Sequence, residues 1–392
     1  MKNTFLVFIG LCLILAQPLR AQDDEVGIDE RTITTAVPFL LIAGDARGAS
    51  MGDMGVATGP DAFSQQYNPA KYAFAESGQS IGLSYTPYLR EIVTDINLGQ
   101  LSYYNRFNEK SAFAASLRYF SLGEIFLRES FESEERPVEP NEFAFDVTYA
   151  LKLSERFSMG VTGRMIYSNL RIPSGPGSED STPAVTLGVD VSGYYQSEEI
   201  VFNNFDGRIR GGFNISNIGP RLSYDDSGQE SYLPTNLRLG GGFDFILDAS
   251  NKIGAFAEIN KLLVPTPQDF NNDGVLDSTD AEEYYDINEF SAIITSWGDA
   301  PGGFSEELKE ITWALGAEYT YENSFSLRAG YFNEAEDKGF RKYLTVGAGF
   351  RYTSIKIDMS YLFNTAPAVV NPLEGTLRFS LSFDFGQTYD EY

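Results

Sequence analysis

The chain has 392 residues, with 29 Lys and Arg against 55 Asp and Glu, a net charge of −26, and no histidine. So acidic a chain is excluded as a binder of nucleic-acid phosphates, which takes Lys and Arg to displace counterions. The missing histidine excludes Ser-His-Asp and Cys-His catalysis, His-ligated zinc and a His axial ligand to haem.

Lys2 precedes an apolar run from Phe5 to Ala16, and Pro18-Leu19-Arg20-Ala21 leads into the acidic Gln22-Asp23-Asp24-Glu25. This reads as a secretory signal peptide over 1–21, cut after Ala21. The single cysteine, Cys12, lies inside it, behind a Leu11 too bulky for a lipidation signal. No later stretch approaches 18 consecutive apolar residues, so a helical membrane protein is excluded. A secreted β-protein or an outer-membrane barrel remains.

Residues 22–80 do not alternate between apolar and polar. Between Ala36 and Ser77 they hold Asp45-Ala46-Arg47, Met51-Gly52-Asp53, Gly55-Val56-Ala57, the pair Asp61-Ala62, and Asn68-Pro69-Ala70-Lys71. Glycines and small residues suit a compact, folded-in segment where backbones come close. Asn68, placed before Pro69, is pushed out of the α region and reads as a turn or helix start. Gly48-Ala49-Ser50-Met51-Gly52 matches the G-x-S-x-G nucleophile elbow. That chemistry needs a strand–turn–helix setting and a histidine base. Tight glycine packing around a small serine is the reading that remains.

From residue 81 the pattern changes to period two. About fourteen segments show it: 81–89, 94–105, 111–121, 141–153, 156–168, 183–196, 207–218, 233–247, 252–262, 311–321, 324–333, 340–352, 354–364 and 373–385. In the clearest, Phe143, Phe145, Val147, Tyr149 and Leu151 share one face, and Glu142, Ala144, Asp146, Thr148 and Lys152 the other. Strict alternation means a strand with one apolar and one polar face. The segments suit the ~9–11 residues a tilted strand needs to cross a bilayer, more than the ~5–6 of an ordinary strand. Links at 106–110, 154–155, 248–251, 322–323 and 353 are tight. Those at 122–140, 169–182, 219–232, 263–310, 334–339 and 365–372 are mostly longer, and 197–206 is intermediate. Short periplasmic turns with longer extracellular loops are the pattern of outer-membrane barrels.

The expected fold is therefore all-β: a transmembrane antiparallel β-barrel of about 14 strands over 81–392, with 22–80 as an N-terminal extension and hatch filling its lumen. The inward faces carry both signs of charge, among them Arg118, Asp146, Arg164, Arg210, Glu258, Glu318, Arg328, Asp358 and Arg378. They read either as an ion-paired filling or as solvated walls.

The longest loop, 263–310, holds a string spaced like an EF-hand calcium loop. Asp269, Asn271, Asp273, Asp277 and Asp280 would offer side-chain oxygens and Val275 its carbonyl, with Gly274 at the sharp turn. The final Asp resembles the calcium loops of dockerins, and Ca²⁺ is the one expected cofactor. Loop residues Phe126, Phe131, Leu222, Tyr224, Tyr232, Trp297 and Phe304 are large and apolar in polar surroundings. Such residues either anchor an interface or fold down onto the barrel mouth. The acidic pairs Glu134-Glu135 and Asp225-Asp226 sit in loops and read as solvated surface, so no enzyme is expected.

The strings at Asp45 to Ala57, Asp61-Ala62 and Asn68 to Lys71 resemble the N-terminus of the PorV family. These are outer-membrane components of the type IX secretion system of the Bacteroidota. A more distant form of the pattern occurs in the hatch of FadL-type fatty-acid transporters. The lead-in Ala36-Val37-Pro38-Phe39-Leu40-Leu41-Ile42 and the ending Pro69 to Phe74 select PorV. Asp45, Arg47, Gly52, Asn68 and Pro69 are the hatch-motif positions, and the resemblance covers nearly the whole chain. It implies a FadL-like barrel in the cell outer membrane that associates with the translocon barrel and receives cargo. Cargo would be bound by its C-terminal signal domain and delivered to the attachment complex with its sortase-like protease. Outer-membrane lipids are implied as surroundings, and no nucleic acid. The alternative is a FadL-type transporter of hydrophobic compounds.

Overall fold

Period-two alternation resolves into fourteen long strands in the computed structural model, which describes residues 32–90, 93–128, 135–170, 183–223, 230–271, 278–366 and 371–389. The expected signal peptide lies outside these residues. The strands are β1 Ser77–Pro87, β2 Ile96–Arg106, β3 Ser111–Leu122, β4 Asn141–Lys152, β5 Phe157–Asn169, β6 Ala184–Gln196, β7 Asp206–Ile218, β8 Asn236–Ile246, β9 Asn251–Leu262, β10 Ile311–Tyr321, β11 Phe325–Asn333, β12 Lys342–Tyr352, β13 Ile355–Asn364 and β14 Leu377–Thr388. Each pairs antiparallel with its neighbours in sequence, and β14 pairs back onto β1, with Ile81 opposite Phe383. The sheet is therefore a closed 14-strand barrel without a free edge.

The faces are inverted relative to a water-soluble sheet. On β4, Phe145, Val147 and Tyr149 are exposed, while Ala144, Asp146, Thr148 and Ala150 are buried. Leu83, Val185 and Leu187 likewise point outward, each more than half exposed. An apolar exterior around a polar interior is stable where the surrounding solvent is lipid, and a closed barrel satisfies every ladder group there.

The connections sort by length. One end carries the turns 107–110, 153–156, 247–250, 322–324 and 353–354. Glu322 and Asn323 there take φ of 49° and 52°, the two positive values of a type I′ turn that matches strand twist. The link 197–205 at this end is longer because Ile200–Val201 folds back on Asp206 and Gly207. The other end carries 88–95, 123–140, 170–183, 219–235, 263–310, 334–341 and 365–376. By the same length rule it faces the cell exterior.

Strand boundaries shift by up to four residues from the sequence expectation, as at β14, which starts at Leu377 rather than near 373. Strand β1 starts at Ser77 rather than near 81, because Ser77-Gly78-Gln79-Ser80 lacks the apolar alternation but is drawn in by the closing strand β14. Strand β8 starts at Asn236 rather than near 233, after Pro234, which has no N–H to give the ladder.

The segment from Ala36 to Ala75 runs inside the barrel from the loop end to the turn end. At the loop end the Ala36 N–H donates to the Tyr232 carbonyl at 2.9 Å. There Arg118 donates to the carbonyls of Phe39, Leu40 and Ile42 at 2.7–2.9 Å. At the turn end Tyr72 packs on Tyr104, Phe74 on Tyr194, and Arg106 donates to the Ala75 carbonyl at 2.6 Å. The chain then reverses into β1.

Candidate functional site

The hatch motif is a set of locking contacts. The Asp45 carboxylate caps the helical turn Ala46–Ala49 by accepting the Gly48 N–H at 2.9 Å. Arg47 donates to Asp61 at 2.8 Å and to Glu318 of β10 at 3.0 Å, and Glu318 is shared with Arg328, which also holds Asp358 at 2.7 Å. Asp53 takes Arg378 and the Tyr343 hydroxyl, both at 2.7 Å. Glu258 accepts the N–H groups of Gly55 and Val56 at 2.9 Å and pairs with Arg238. The Asn68 amide donates to the carbonyls of Val56 and Gly193, and Pro69 opens the helical turn Pro69–Phe74 behind it. Lys71 donates to the Gly55 carbonyl at 2.8 Å. Gly52 has φ 79°, and a Cβ there would lie 2.9 Å from the Tyr331 carbonyl oxygen. Its identity is set by both geometry and space.

Ser50, the serine of the G-x-S-x-G string, is fully buried and donates to the Arg47 carbonyl at 2.7 Å. It packs the hatch. The lumen charges beyond the hatch are paired too: Arg164 with Asp146 and Asp190 at 2.6 and 3.0 Å, and Arg210 with Asp244 at 2.7 Å. Of the two readings of these charges, the ion-paired filling is the one observed. Along this stretch the lumen is occupied by side chains.

The loop end is built differently. Loop 263–310 folds into α1 Ser278–Asp286, α2 Glu289–Thr295 and α3 Phe304–Lys309. Helices this short are marginal alone, so packing holds them. Tyr284 and Ala292 bury against Tyr232 and Val264. The Tyr232 hydroxyl donates to the carbonyls of Tyr284 and Ile287 at 3.0 and 2.6 Å. Burial pushes that hydroxyl up to about 12, so it stays a donor. Arg221 donates to Glu289 at 3.0 Å. Burial works against the Glu289 charge, but its own backbone N–H and Arg221 outweigh this and hold the carboxyl below its ordinary range.

The opposite faces of these helices are apolar and open. Phe290, Ile294 and Trp297 line up on and just past α2, at 69%, 76% and 52% exposure, and Phe304 and Leu308 do so on α3 at 78% and 53%. Of the seven loop anchors read from sequence, the structure leaves Phe126, Trp297 and Phe304 exposed. Leu222 and Tyr232 are instead buried, at 2% and 3%, Leu222 in the cluster around Phe39 and Leu40 and Tyr232 as core of the loop layer. Phe131 and Tyr224 lie outside the described residues. Sequence reading missed Phe290, Ile294 and Leu308, whose signal was an i, i+4 spacing in a stretch taken as loop.

Of the calcium string, Asp269, Asn271 and Asp280 are described, and Asp273, Val275 and Asp277 are not. Asp280 is buried, and its carboxylate accepts the N–H of Phe270 at 2.8 Å and of Asn271 at 3.3 Å. Nearby, Asp299, Glu307 and Glu310 converge, but Lys261 reaches Glu307 and Glu310 at 3.1 and 2.7 Å and Lys338 reaches Glu310 at 3.1 Å. These two ammonium groups serve Glu307 and Glu310, while Asp299 accepts the N–H and hydroxyl of Thr266 at 3.1 and 3.3 Å.

Between the loop layer and the hatch lies a cavity of about 600 Å³. Phe39, Tyr88, Ile96 and Phe120 form one wall and Phe332, Tyr343 and Leu373 another, with Asn260 and Asn371 among the polar groups.

Solved structures share this architecture at low identity. The TodX deltaS2S3 mutant monoaromatic hydrocarbon channel matches with TM-score 0.50 and 13% identity, over 87% of this chain and 99% of its own. The P. putida toluene transporter TodX matches with TM-score 0.49 and 12% identity, over 88% and 100%. The Ralstonia pickettii toluene transporter TbuX matches with TM-score 0.47 and 13% identity, over 89% and 100%. At this identity the likeness speaks for fold alone. No curated protein matches in sequence. A family model described as type IX secretion system protein PorV matches residues 25–269, more than half of the chain. This family is that of a secretion-system component rather than of an enzyme class. The chain is an outer-membrane β-barrel and belongs to the PorV family of the type IX secretion system.

Proposed function

We propose that this type IX component receives exported cargo at its outer face by binding the C-terminal signal domain. It then hands the cargo to the attachment complex with its sortase-like protease. The observation that carries the reading is the exposed apolar face of α2 and α3, with Phe290, Ile294 and Phe304 each more than two-thirds exposed on the loop end. Large apolar side chains held on short, packed helices are what interface anchors look like. The translocon barrel would be met in the plane of the membrane, through the lipid-facing wall and the loops above it.

Two tests address it. In a deletion strain, cargo bearing type IX signals should stay unprocessed inside the cell; normal surface display would end the proposal. In pull-downs with a purified signal domain, Phe290→Ala with Ile294→Ala, or Trp297→Ala with Phe304→Ala, should lower capture at least about tenfold, the effect of one lost anchor of ~1.4 kcal/mol.

We also propose that Ca²⁺ binds the 269–280 loop and stiffens the layer that presents this face. Calorimetric titration should give binding heat with the wild type and none with Asp273→Ala combined with Asp277→Ala. Equal heats would remove the ion from the account. The second functional reading, a FadL-type transporter of hydrophobic compounds, is favoured by the apolar walls of the outer cavity. The ion-paired hatch beneath speaks against a through route.

A further inference from the structure

We propose that the outer cavity is the seat of an uncharged, largely apolar, extended peptide segment of the cargo; this rests on the cargo-handling reading above. The cavity is not a uniform greasy slot. Across three adjacent strands its wall carries a polar row, with Arg238 of β8 opposite Asn260 of β9 and Asn260 opposite Thr312 of β10. The rest of the lining is largely apolar, with Phe39, Ile96 and Phe120 in one cluster and Phe332, Tyr343 and Leu373 in another.

Among the described residues, two buried atoms on the lining have no hydrogen-bond partner: the Asn260 Oδ1 acceptor and the Asn371 Nδ2 donor. Asn371 is only 5% exposed. Leaving such groups unmade is costly, and one acceptor with one donor is the complement of a peptide unit's N–H and C=O.

Charge narrows the choice further. The cations on the lining are engaged within the protein: Arg238 with Glu258, Lys309 with Asp337, Lys338 with Glu306 and Glu310, and Arg341 with Glu334. Asp53 is engaged by Arg378. A fatty-acid carboxylate or a lipid phosphate would find no uncommitted cation, and a plain hydrocarbon would leave both amides unmet. A peptide with apolar side chains satisfies the amides and the walls together.

The test is photo-crosslinking in cells that export cargo, with benzoylphenylalanine replacing Tyr88 in the full-length chain. Tyr88 stands edge-on to Phe120 in the cavity wall. Mass spectrometry of the adduct should identify a peptide from the signal domain of an exported protein. The yield should fall about tenfold when Asn260→Leu and Asn371→Asp are added. Asn371→Asp keeps the oxygen that accepts the Leu373 N–H at 2.9 Å, and heat-dependent gel mobility verifies the folded barrel. A lipid adduct, an adduct to the chain's own residues 22–31, or no adduct overturns the proposal. The same probe at Phe304 separates the two claims. Signal domain captured there but not at Tyr88 removes the cavity seat and leaves the cargo reading standing. Capture at neither position removes both.

Discussion

Arg47 shows how a membrane barrel uses charge where a soluble protein would use hydrocarbon. It joins a hatch carboxylate, Asp61, to a wall carboxylate, Glu318, with all three side chains nearly buried. Breaking a buried pair by removing one member costs about 3–5 kcal/mol. Arg47→Met should sit at the low end, about 3 kcal/mol, because Arg328 still holds Glu318; urea unfolding in detergent reads the change. Gly330→Leu should be worse, since a Cβ at Gly330 would collide with the Met51 backbone. It should reduce the yield of heat-modifiable, folded barrel. At this scale the sequence showed which residues form the motif but not what they hold. Arg47 and Glu318 are 271 positions apart, and Asp53 and Arg378 are 325 apart. No local spacing encodes such a pairing.

The strands were legible because alternation is a local property: each face is written within a single segment. The helices α1 to α3 were not. They are short and sit in an acidic stretch, and α1 and α2 pack on Tyr232 from another link and on Val264 at the start of their own. For the same reason an aromatic in a polar loop looks alike in sequence whether it points outward, as Phe304 does, or inward, as Tyr232 does. The loop layer also has a pH signature. Glu289 is held below its ordinary value of 4.5, so its bond to Arg221 is present in full above that pH and is lost as pH falls through the lowered value. Protection from hydrogen exchange across 289–295, measured against the intrinsic rate at each pH, should therefore be high at pH 7 and be lost only below pH 4.5. Glu289→Gln should show at pH 7 the reduced protection that the wild type shows only in acid.

The whole molecule reads as water-soluble by its mean hydropathy of −0.21, because each strand averages an outer apolar face with an inner polar one. What the average hides is a lipid-facing cylinder whose centre is filled. In planar bilayers the purified protein should show no steady conductance steps of the open-porin kind; regular large steps would mean that the hatch leaves. The route of the hatch has a further consequence, for the order of events during biogenesis. Residues 45–71 are made early, yet their ionic partners Glu318 and Arg378, and Glu258 that accepts the Gly55 and Val56 N–H groups, belong to β10, β14 and β9, which are made late. Until the last strands are in place, Arg47 has only Asp61 of its own segment, and Asp53 lacks Arg378 altogether. Sealing the seam and seating the plug are then one event, and a barrel stalled short of it exposes an unmet acidic and basic string, a ready mark for proteolytic clearance.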